Sequence, residues 1–372
     1  MNSKLLMPTF VFPDLDRVDP LSIDLLSRLN RYGLWYSSLN SKNSKKIAVV
    51  AGTSDATKIK NLNFEHLDLR IIKLRRFKFF TFYKFLKKTV SSDSITPSIL
   101  IAGDPFRGLL ACRMLQIHKN ISISTQVSLH GEIGLNGFGL SFKNRSRNFI
   151  FKILVKGVKS VRLVLEDQIP NTVSFFKVPR EHIFVAPIPI ILDFANFTDR
   201  KFNRTIGFVG RLHQDRGLDL WIETIKALKS SPTMFNLKII GDGPLRDLFR
   251  NELQKLDVPY EFLGRLTQVE LKKQWPEISV LLSTAPTESY GMAMREAVLQ
   301  GCSVVSFDNS GGRDALMSFP DSVALFKDAK IGADLLSAAL NRKNDFKKVE
   351  LYRVNFTKIQ KQNIVKLVSS WT

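Results

Sequence analysis

The chain has 372 residues, 44% hydrophobic and 24% charged, an ordinary balance for a globular protein and more length than one core usually fills. Lysine and arginine number 55 against 34 aspartates and glutamates, and the resulting net charge of +21 calls for an anionic partner: nucleic acid, acidic lipid or phosphorylated substrates. Two cysteines exclude a disulfide framework or zinc site, no apolar run is long enough for a transmembrane helix, and Met1-Asn2-Ser3-Lys4-Leu5 does not open a secretion signal.

Along the chain, short apolar runs alternate with helical patterns, which predicts α/β layers around parallel sheets. In the first half, strands are expected at 5–12, 46–52, 69–74, 98–102, 122–129, 160–165 and 182–187. Helices such as 20–39 and 106–118 lie between them. Cys112 and Cys302 each fall in an apolar helical or helix-end pattern and read as buried thiols in a reducing cytoplasm.

From Arg70 to Lys88 the chain carries eight basic residues and no acid, interleaved with aromatics. On a helix of about 100° per residue, Phe79, Phe82, Tyr83, Leu86 and Val90 form one apolar stripe, the natural core face. Lys84, Lys87 and Lys88 fall opposite, in the company of Phe77 and Phe80. Such a face suits a helix lying on anionic headgroups; a solvated basic face with incidental aromatics is the plainer alternative. A second acid-free stretch runs from Lys143 to Arg162, and two such patches in one half favour a docking surface.

Pro187-Ile188-Pro189 and residues 193–199 break the pattern and read as a linker. A second series of strands follows at 205–209, 236–240, 260–263, 279–283, 303–307 and 322–326, and the tail from 331 to 372 is helical in pattern. Open parallel sheets bind ligands beyond the carboxyl ends of their strands. Gly210-Arg211, Gly241-Asp242-Gly243 and Thr287-Glu288 each follow a strand, so they converge on one edge.

The segment from Pro286 to Ser306 is the most informative. A helix is expected from Ser289-Tyr290-Gly291 to a stop at Gly301. Glu288 stands at its mouth and Glu296 eight residues on, about two turns inside. Free N–H groups at a helix start suit phosphate, and nearby carboxylates suit sugar hydroxyls. Arg211 and Arg216 are the cations available to a departing diphosphate, with fork geometry that matches phosphate. Asp14-Leu15-Asp16 fits the Asp-x-Asp pattern of metal-dependent sugar transfer. It precedes Pro20 near the N-terminus, not a donor-side strand end, and is set aside.

Taken together, these motifs resemble retaining glycosyltransferase family 4 (glycosyl transferases group 1). Glu288 and Glu296 resemble its E-x7-E signature, and Gly207–Gly217 resembles its strand and G-R-L-x-x-x-K-G turn. Leu237–Pro244 is similar to its G-x-G-P turn, Phe262-Leu263-Gly264 to its F-x-G strand, and Gly311-Gly312 follows at the usual interval. The resemblance implies the α/β GT-B fold, two Rossmann-like domains facing a cleft. Residues 1–197 would be the acceptor side, 198–357 the sugar-nucleotide domain, and 358–372 a helix packing back on the first domain. It also implies roles. Glu288 would contact the donor sugar, and the N–H groups of Ser289, Tyr290, Gly291 and Met292 would face sugar and phosphates. Glu296 would hold the ribose, Arg211 and Arg216 the diphosphate, and Gly241 and Gly243 would form the donor turn. His130 matches the strand-end histidine that reaches towards the sugar, and Asp104–Leu110 resembles the D-P-x-x-G-L helix start. Two departures stand out: Arg216 replaces the family's lysine, and Pro13–Pro20 replaces its Gly-Gly loop.

The expectation is a retaining glycosyltransferase that needs no metal or cofactor and takes a nucleotide-sugar as substrate. Its acceptor would be a glycan or lipid-linked glycan, as in surface polysaccharide assembly. It would be cytoplasmic, with an anionic membrane surface at the inner face of the plasma membrane as partner. The missing glycines support an alternative, a catalytically weak GT-B partner subunit. A nucleic-acid binder is permitted by charge but has no helix-turn-helix, zinc-finger or RNA-binding signature. An epimerase of the same fold has no motif in its favour.

Overall fold

The computed structural model describes residues 6–18, 23–40, 46–55, 57, 63–74, 78–92, 95–119, 123–129, 142–190, 194, 196–197, 203–342 and 345–372. The chain divides into two compact units, Met1–Pro187 with Lys361–Thr372, and Ile188–Gln360.

The first unit is built on a seven-stranded parallel sheet. Its strands are β1 (Leu6–Phe12), β2 (Ile47–Thr53), β3 (Leu67–Lys73), β4 (Thr96–Ala102), β5 (Ser124–Leu129), β6 (Ser160–Leu163) and β7 (Ile183–Val185), in the order β3-β2-β1-β4-β5-β6-β7. Strand β2 is buried at every position, and its Ile-Ala-Val-Val-Ala run is what a parallel strand covered on both faces requires. Strand β3 starts two residues earlier than the sequence pattern suggests, because Leu67 pairs with Ile47.

Successive side chains of β1 point to opposite faces, and two cores result. On one face Val11, Val50 and Leu100 meet the helices Lys78–Ser91, Arg107–Lys119 and Phe142–Leu154 through Phe82, Leu86, Leu109, Leu115 and Phe151. The expected stripe is thus a core face: Phe82, Leu86 and Val90 are buried, Phe79 and Tyr83 half-buried, and Lys84 and Lys88 exposed. Phe77 lies outside the described residues.

On the other face Phe10, Val49 and Ile99 meet the helix Ile23–Leu39 and the end of the helix Phe346–Ser369. Trp371 closes this core. Its ring stands edge-on to Phe10 at 5.4 Å, and its indole N–H donates to Gln126 Oε1 at 3.2 Å. Gln126 in turn donates to Ser370 Oγ at 3.0 Å, so a buried polar pair is satisfied where the chain ends its path through this unit. The last helix therefore starts in the second unit and finishes in the core of the first.

The second unit holds six parallel strands, β8 (Thr205–Val209), β9 (Asn236–Ile240), β10 (Tyr260–Gly264), β11 (Val280–Ser283), β12 (Ser303–Phe307) and β13 (Val323–Phe326), ordered β10-β9-β8-β11-β12-β13. Trp221, Phe208 and Phe249 pack as a three-ring cluster under β8, with Trp221 and Phe249 5.4 Å apart. Both cysteines are buried and neither is in a disulfide, and burial pushes the Cys112 thiol well above its ordinary range.

The helix after β11 begins later than expected, at Met292 rather than Ser289. Gly291 takes φ 68°, a left-handed conformation that halts helical geometry before it, and this residue is the N-cap. Ser289 and Tyr290 belong to the preceding loop.

Candidate functional site

Strand β8 lies between β9 and β11, so the chain leaves β8 to one side of the sheet and later resumes on the other. In doubly wound sheets that reversal opens a ligand crevice at the carboxyl ends of the two strands. Arg211 and Arg216 follow β8, Gly241 and Gly243 follow β9, and Glu288 to Met292 follow β11.

From β8 the chain passes Gly210 and Arg211 into a 3-10 turn, Gln214–Arg216, capped by His213. Gly217 then takes φ 60°, and a Cβ there would collide with the Thr284 carbonyl oxygen. Only glycine lets the turn lie this close to the end of β11. Thr284 fastens the approach by donating its hydroxyl to the Arg216 carbonyl at 3.1 Å.

The consequence is a contact between two chain segments 72 residues apart: Arg216 Nη1 donates to Glu288 Oε2 at 2.7 Å. Arg211 is held differently. Its Nη2 donates to Asp215 Oδ2 at 2.8 Å, and Asp215 Oδ1 lies 3.7 Å from Arg216 Nε. Asp215 thus stands between two guanidinium groups, one 64% exposed and one 29% exposed. Arg216 Nε is buried and makes no hydrogen bond among the described residues.

Glu288 is held from several sides. Its Oε1 accepts the Ser289 N–H at 3.1 Å, and its carbonyl accepts the Gly311 N–H at 2.8 Å. Asn309 caps the helix Ser310–Ser318 by accepting the Gly312 N–H at 2.7 Å, and it donates to the Ala285 carbonyl at 2.8 Å. The loops after β11 and β12 are therefore tied into one platform. A cavity of about 30 Å³, room for one water, lies beneath it against Arg216, Thr284, Glu288 and Met294.

Gly241 donates to the Gly264 carbonyl at 2.7 Å, and Leu212 donates to the Asp242 carbonyl at 3.0 Å. The Gly241–Gly243 turn is fastened on both sides, and Gly243 N–H is taken by Asp242 Oδ1 at 2.8 Å. Glu296 lies in the second turn of the helix Met292–Leu299, and burial raises its carboxyl to about 7. A carboxyl so placed exchanges its proton near neutrality, and a hydroxyl donor beside it would favour the charged form.

Tyr290 is buried. Its ring lies under the Arg295 guanidinium, 4.0 Å from centroid to Cζ, and Arg295 pairs with Asp314. The side chain is a wedge that shapes the loop. Sequence reasoning does not single out Asp215, Asn309, Arg295 or Asp314. An arginine on the otherwise apolar helix immediately before Glu296 is the one local signal that could mark the last pair.

In the first unit, Asp104 caps the helix Arg107–Lys119 by accepting the N–H groups of Phe106, Arg107 and Gly108 at 2.7–2.9 Å. Burial raises its carboxyl against those bonds, so the motif at Asp104–Leu110 is a helix start. Asp16 accepts from Thr53 Oγ1 at 2.6 Å and from the Ser54 N–H at 2.7 Å, and Asp14 lies 3.7 Å from Arg107. Both carboxylates of the set-aside Asp-x-Asp pattern are thus engaged by their own unit. His130, Gly131 and Glu132 lie outside the described residues.

Two open parallel sheets with helices on their faces, the second carrying this strand-end constellation, define the GT-B class. Residues 203–340 match the family described as glycosyl transferases group 1. Among curated proteins, the chain is 32% identical over 128 residues to one subunit of human phosphatidylinositol N-acetylglucosaminyltransferase, covering 33% of this chain and 26% of that one. It is 23% identical over 274 residues to the gpi3 subunit of the transferase of the same name in Schizosaccharomyces pombe, covering 72% and 58%. The matches therefore span between about a quarter and three-fifths of those relatives' lengths.

Solved structures agree on the fold. Anabaena Alr3699/HepE, crystallised with UDP and glucose, superposes with a TM-score of 0.69 at 13% identity, covering 98% of both chains. WaaG, a glycosyltransferase of lipopolysaccharide biosynthesis, gives 0.67 at 12% identity over 99% of this chain and 100% of that one.

Proposed function

We propose that the protein is a retaining glycosyltransferase that moves a sugar from a nucleotide-sugar to a glycan or lipid-linked glycan, without a metal, in surface polysaccharide biosynthesis. The observation that carries this reading is the Arg216–Glu288 pair at the β8/β11 crevice, within the region that matches the group 1 family. A cation and a carboxylate at 2.7 Å supply both functions a sugar diphosphate needs. Arg216 meets the diphosphate through its partly exposed guanidinium, and Glu288 accepts from the sugar hydroxyls. Arg211 adds a second, more exposed cation, and the N–H groups at the start of the helix Met292–Leu299 add partial positive charge. Glu296 accepts from the ribose, and the resemblance to the family assigns His130 a role towards the sugar.

In the reaction, the bond from the anomeric carbon to the phosphate oxygen breaks, and the acceptor oxygen bonds to that carbon on the same face. The acceptor's proton passes to the departing phosphate oxygen. Arg211 and Arg216 stabilise the charge that builds on the diphosphate, the work a metal does in other sugar transferases. The membrane is where a lipid-linked acceptor is held, and the curated relatives, whose names carry phosphatidylinositol, favour that acceptor class. The protein then works as a peripheral enzyme on the cytoplasmic face.

The test is a thermal-shift screen of UDP-, GDP- and ADP-sugars in EDTA, with Glu288→Ala and Arg211→Ala as controls. Stabilisation by one donor, lost in both variants, supports a metal-independent donor site. Product anomeric configuration, read by NMR, tests retention.

A second reading, a GT-B partner subunit with little activity of its own, is favoured by one observation. The segment after β1 forms the short helix Leu15–Val18 with no glycine, and Asp16 is bound to Thr53 and Ser54. That geometry closes the loop which in the family approaches the phosphates. Donor binding without turnover on any acceptor would select this reading.

A further inference from the structure

The helices Lys78–Ser91, Arg107–Lys119 and Phe142–Leu154, which cover one face of the first unit's sheet, contain lysine and arginine but no aspartate or glutamate. They form a continuous layer. Tyr83 donates to the Met114 carbonyl at 3.2 Å, Arg113 donates to the Gly157 carbonyl at 3.0 Å just past the third helix, and Arg147 lies 5.5 Å over Phe106. A second copy of the chain against this layer would set cation against cation, so its occupant is anionic.

The layer is also apolar on its outer side. In the third helix Phe151 points inward, fully buried and edge-on to Phe176 at 4.8 Å. Phe149, Ile150 and Ile153 point the other way, exposed by 65%, 47% and 55%. The neighbouring helices add Phe80 at 61% and Ile117 at 76%. At about 100° per residue, Arg145 and Lys152 border the stripe formed by Phe149 and Ile153. Duplex nucleic-acid phosphates use the cations of such a surface and leave its phenylalanines and isoleucines in water. A bilayer uses both: headgroup phosphates meet the cations, and the acyl boundary takes the apolar side chains.

We propose that this three-helix layer seats the protein on an anionic lipid bilayer, with the helix Phe142–Leu154 inserting Phe149, Ile150 and Ile153 and with Lys84 and Lys88 on the headgroups. The proposal takes its purpose from the reading of a membrane-held acceptor, but the docking itself needs no sugar transfer.

The experiment is co-sedimentation of the full chain with vesicles of phosphatidylglycerol in phosphatidylcholine, and with phosphatidylcholine alone. The variants are F149S/I150S/I153S and K84E/K88E, all at exposed positions with no catalytic role, and their folding is checked by circular dichroism. The wild type binds the anionic vesicles and leaves the neutral ones. F149S/I150S/I153S weakens binding about tenfold or more through lost apolar insertion. K84E/K88E also weakens it about tenfold or more, and added salt reproduces part of that loss. No binding to anionic vesicles, or binding unchanged in F149S/I150S/I153S, overturns the proposal. Tighter retention on duplex DNA than on the vesicles also overturns it, in favour of nucleic acid. Donor-dependent thermal shifts in the same samples keep the two readings apart. A wild type that binds vesicles but no nucleotide-sugar fails the functional reading alone, and one that binds donor but no vesicles fails this one alone.

Discussion

Arg216 and Glu288 meet at 2.7 Å although one follows β8 and the other follows β11. Their contact marks the place where the second sheet reverses its winding. Glu288 is 18% exposed and Arg216 29%, so the pair is shielded enough for its charges to matter yet open to a ligand. A ligand phosphate that reaches Arg216 competes with Glu288, and the freed carboxylate oxygen becomes available to a hydroxyl. On the proposed reading, donor binding and the rearrangement of this pair would be one event.

Removing the guanidinium should cost catalysis more than stability. Arg216→Ala is expected to lower kcat about 10²–10³-fold, the usual effect of losing one group that stabilises developing charge. Arg216→Lys keeps the charge and restores most of the loss, because the resembling family carries lysine there. Steady-state kinetics on the donor that passes the thermal-shift screen checks both; equal rates for Ala and Lys would remove Arg216 from the diphosphate site.

Glu296 makes stability depend on pH. Its folded pKa is raised from 4.5 to about 7 by burial, so the folded chain binds this proton more tightly than the unfolded chain. The contribution is full below 4.5 and is lost as pH rises through about 7, a total on the order of 3 kcal/mol. Melting temperature should therefore fall across this window in the wild type, and Glu296→Gln should flatten that part of the profile. Hydroxyls donating to Glu296 favour the carboxylate, so donor affinity should rise over the same window. An affinity that falls instead would place the ribose elsewhere.

Arg295 and Asp314 form a partly buried pair beneath the loop that precedes the helix Met292–Leu299, with Tyr290 stacked on the guanidinium. Arg295→Met keeps the volume but leaves the carboxylate without its guanidinium. A loss of about 2–4 kcal/mol is expected, read as the shift in urea midpoint. Donor affinity should fall as well, because the loop from Ser289 to Gly291 loses its support. Unchanged affinity in the folded variant would make the pair purely a stability element.

Trp371 is only 2% exposed, packed among Phe10, Tyr32 and Tyr36. Trp371→Ala should destabilise the first unit by about 3–5 kcal/mol. Trp371→Phe retains the packing and loses the bond to Gln126, for about 1 kcal/mol. Denaturation followed by a probe in each unit would show whether the loss is confined to the first.

Much of the strand-end cluster in the second unit is legible in the chain because its signals are local. A strand followed by glycine and arginine, and a strand followed by glutamate, state their own position at a sheet's carboxyl edge. The Arg216–Glu288 contact is not legible, since it depends on which strands become neighbours. The late helix start at Met292 escapes sequence reading because nothing in Ser-Tyr-Gly-Met announces a left-handed φ at Gly291. In the first unit, the stripe Phe79, Phe82, Leu86 and Val90 is legible from period alone. The outward Phe149, Ile150 and Ile153 are not, because a periodic pattern shows that a helix has an apolar face without showing which side the sheet will cover.

The position of Trp371 also bears on how the protein is made. Strands β1 to β7 are synthesised first, yet the core beneath them waits for a side chain that leaves the ribosome some 184 residues after Pro187. The second unit, all of whose residues emerge in between, has what it needs to fold earlier. The order of maturation is then inverted relative to the order of translation. A nascent chain arrested after Gln360 should show a protease-resistant second unit beside a first unit still open to cleavage.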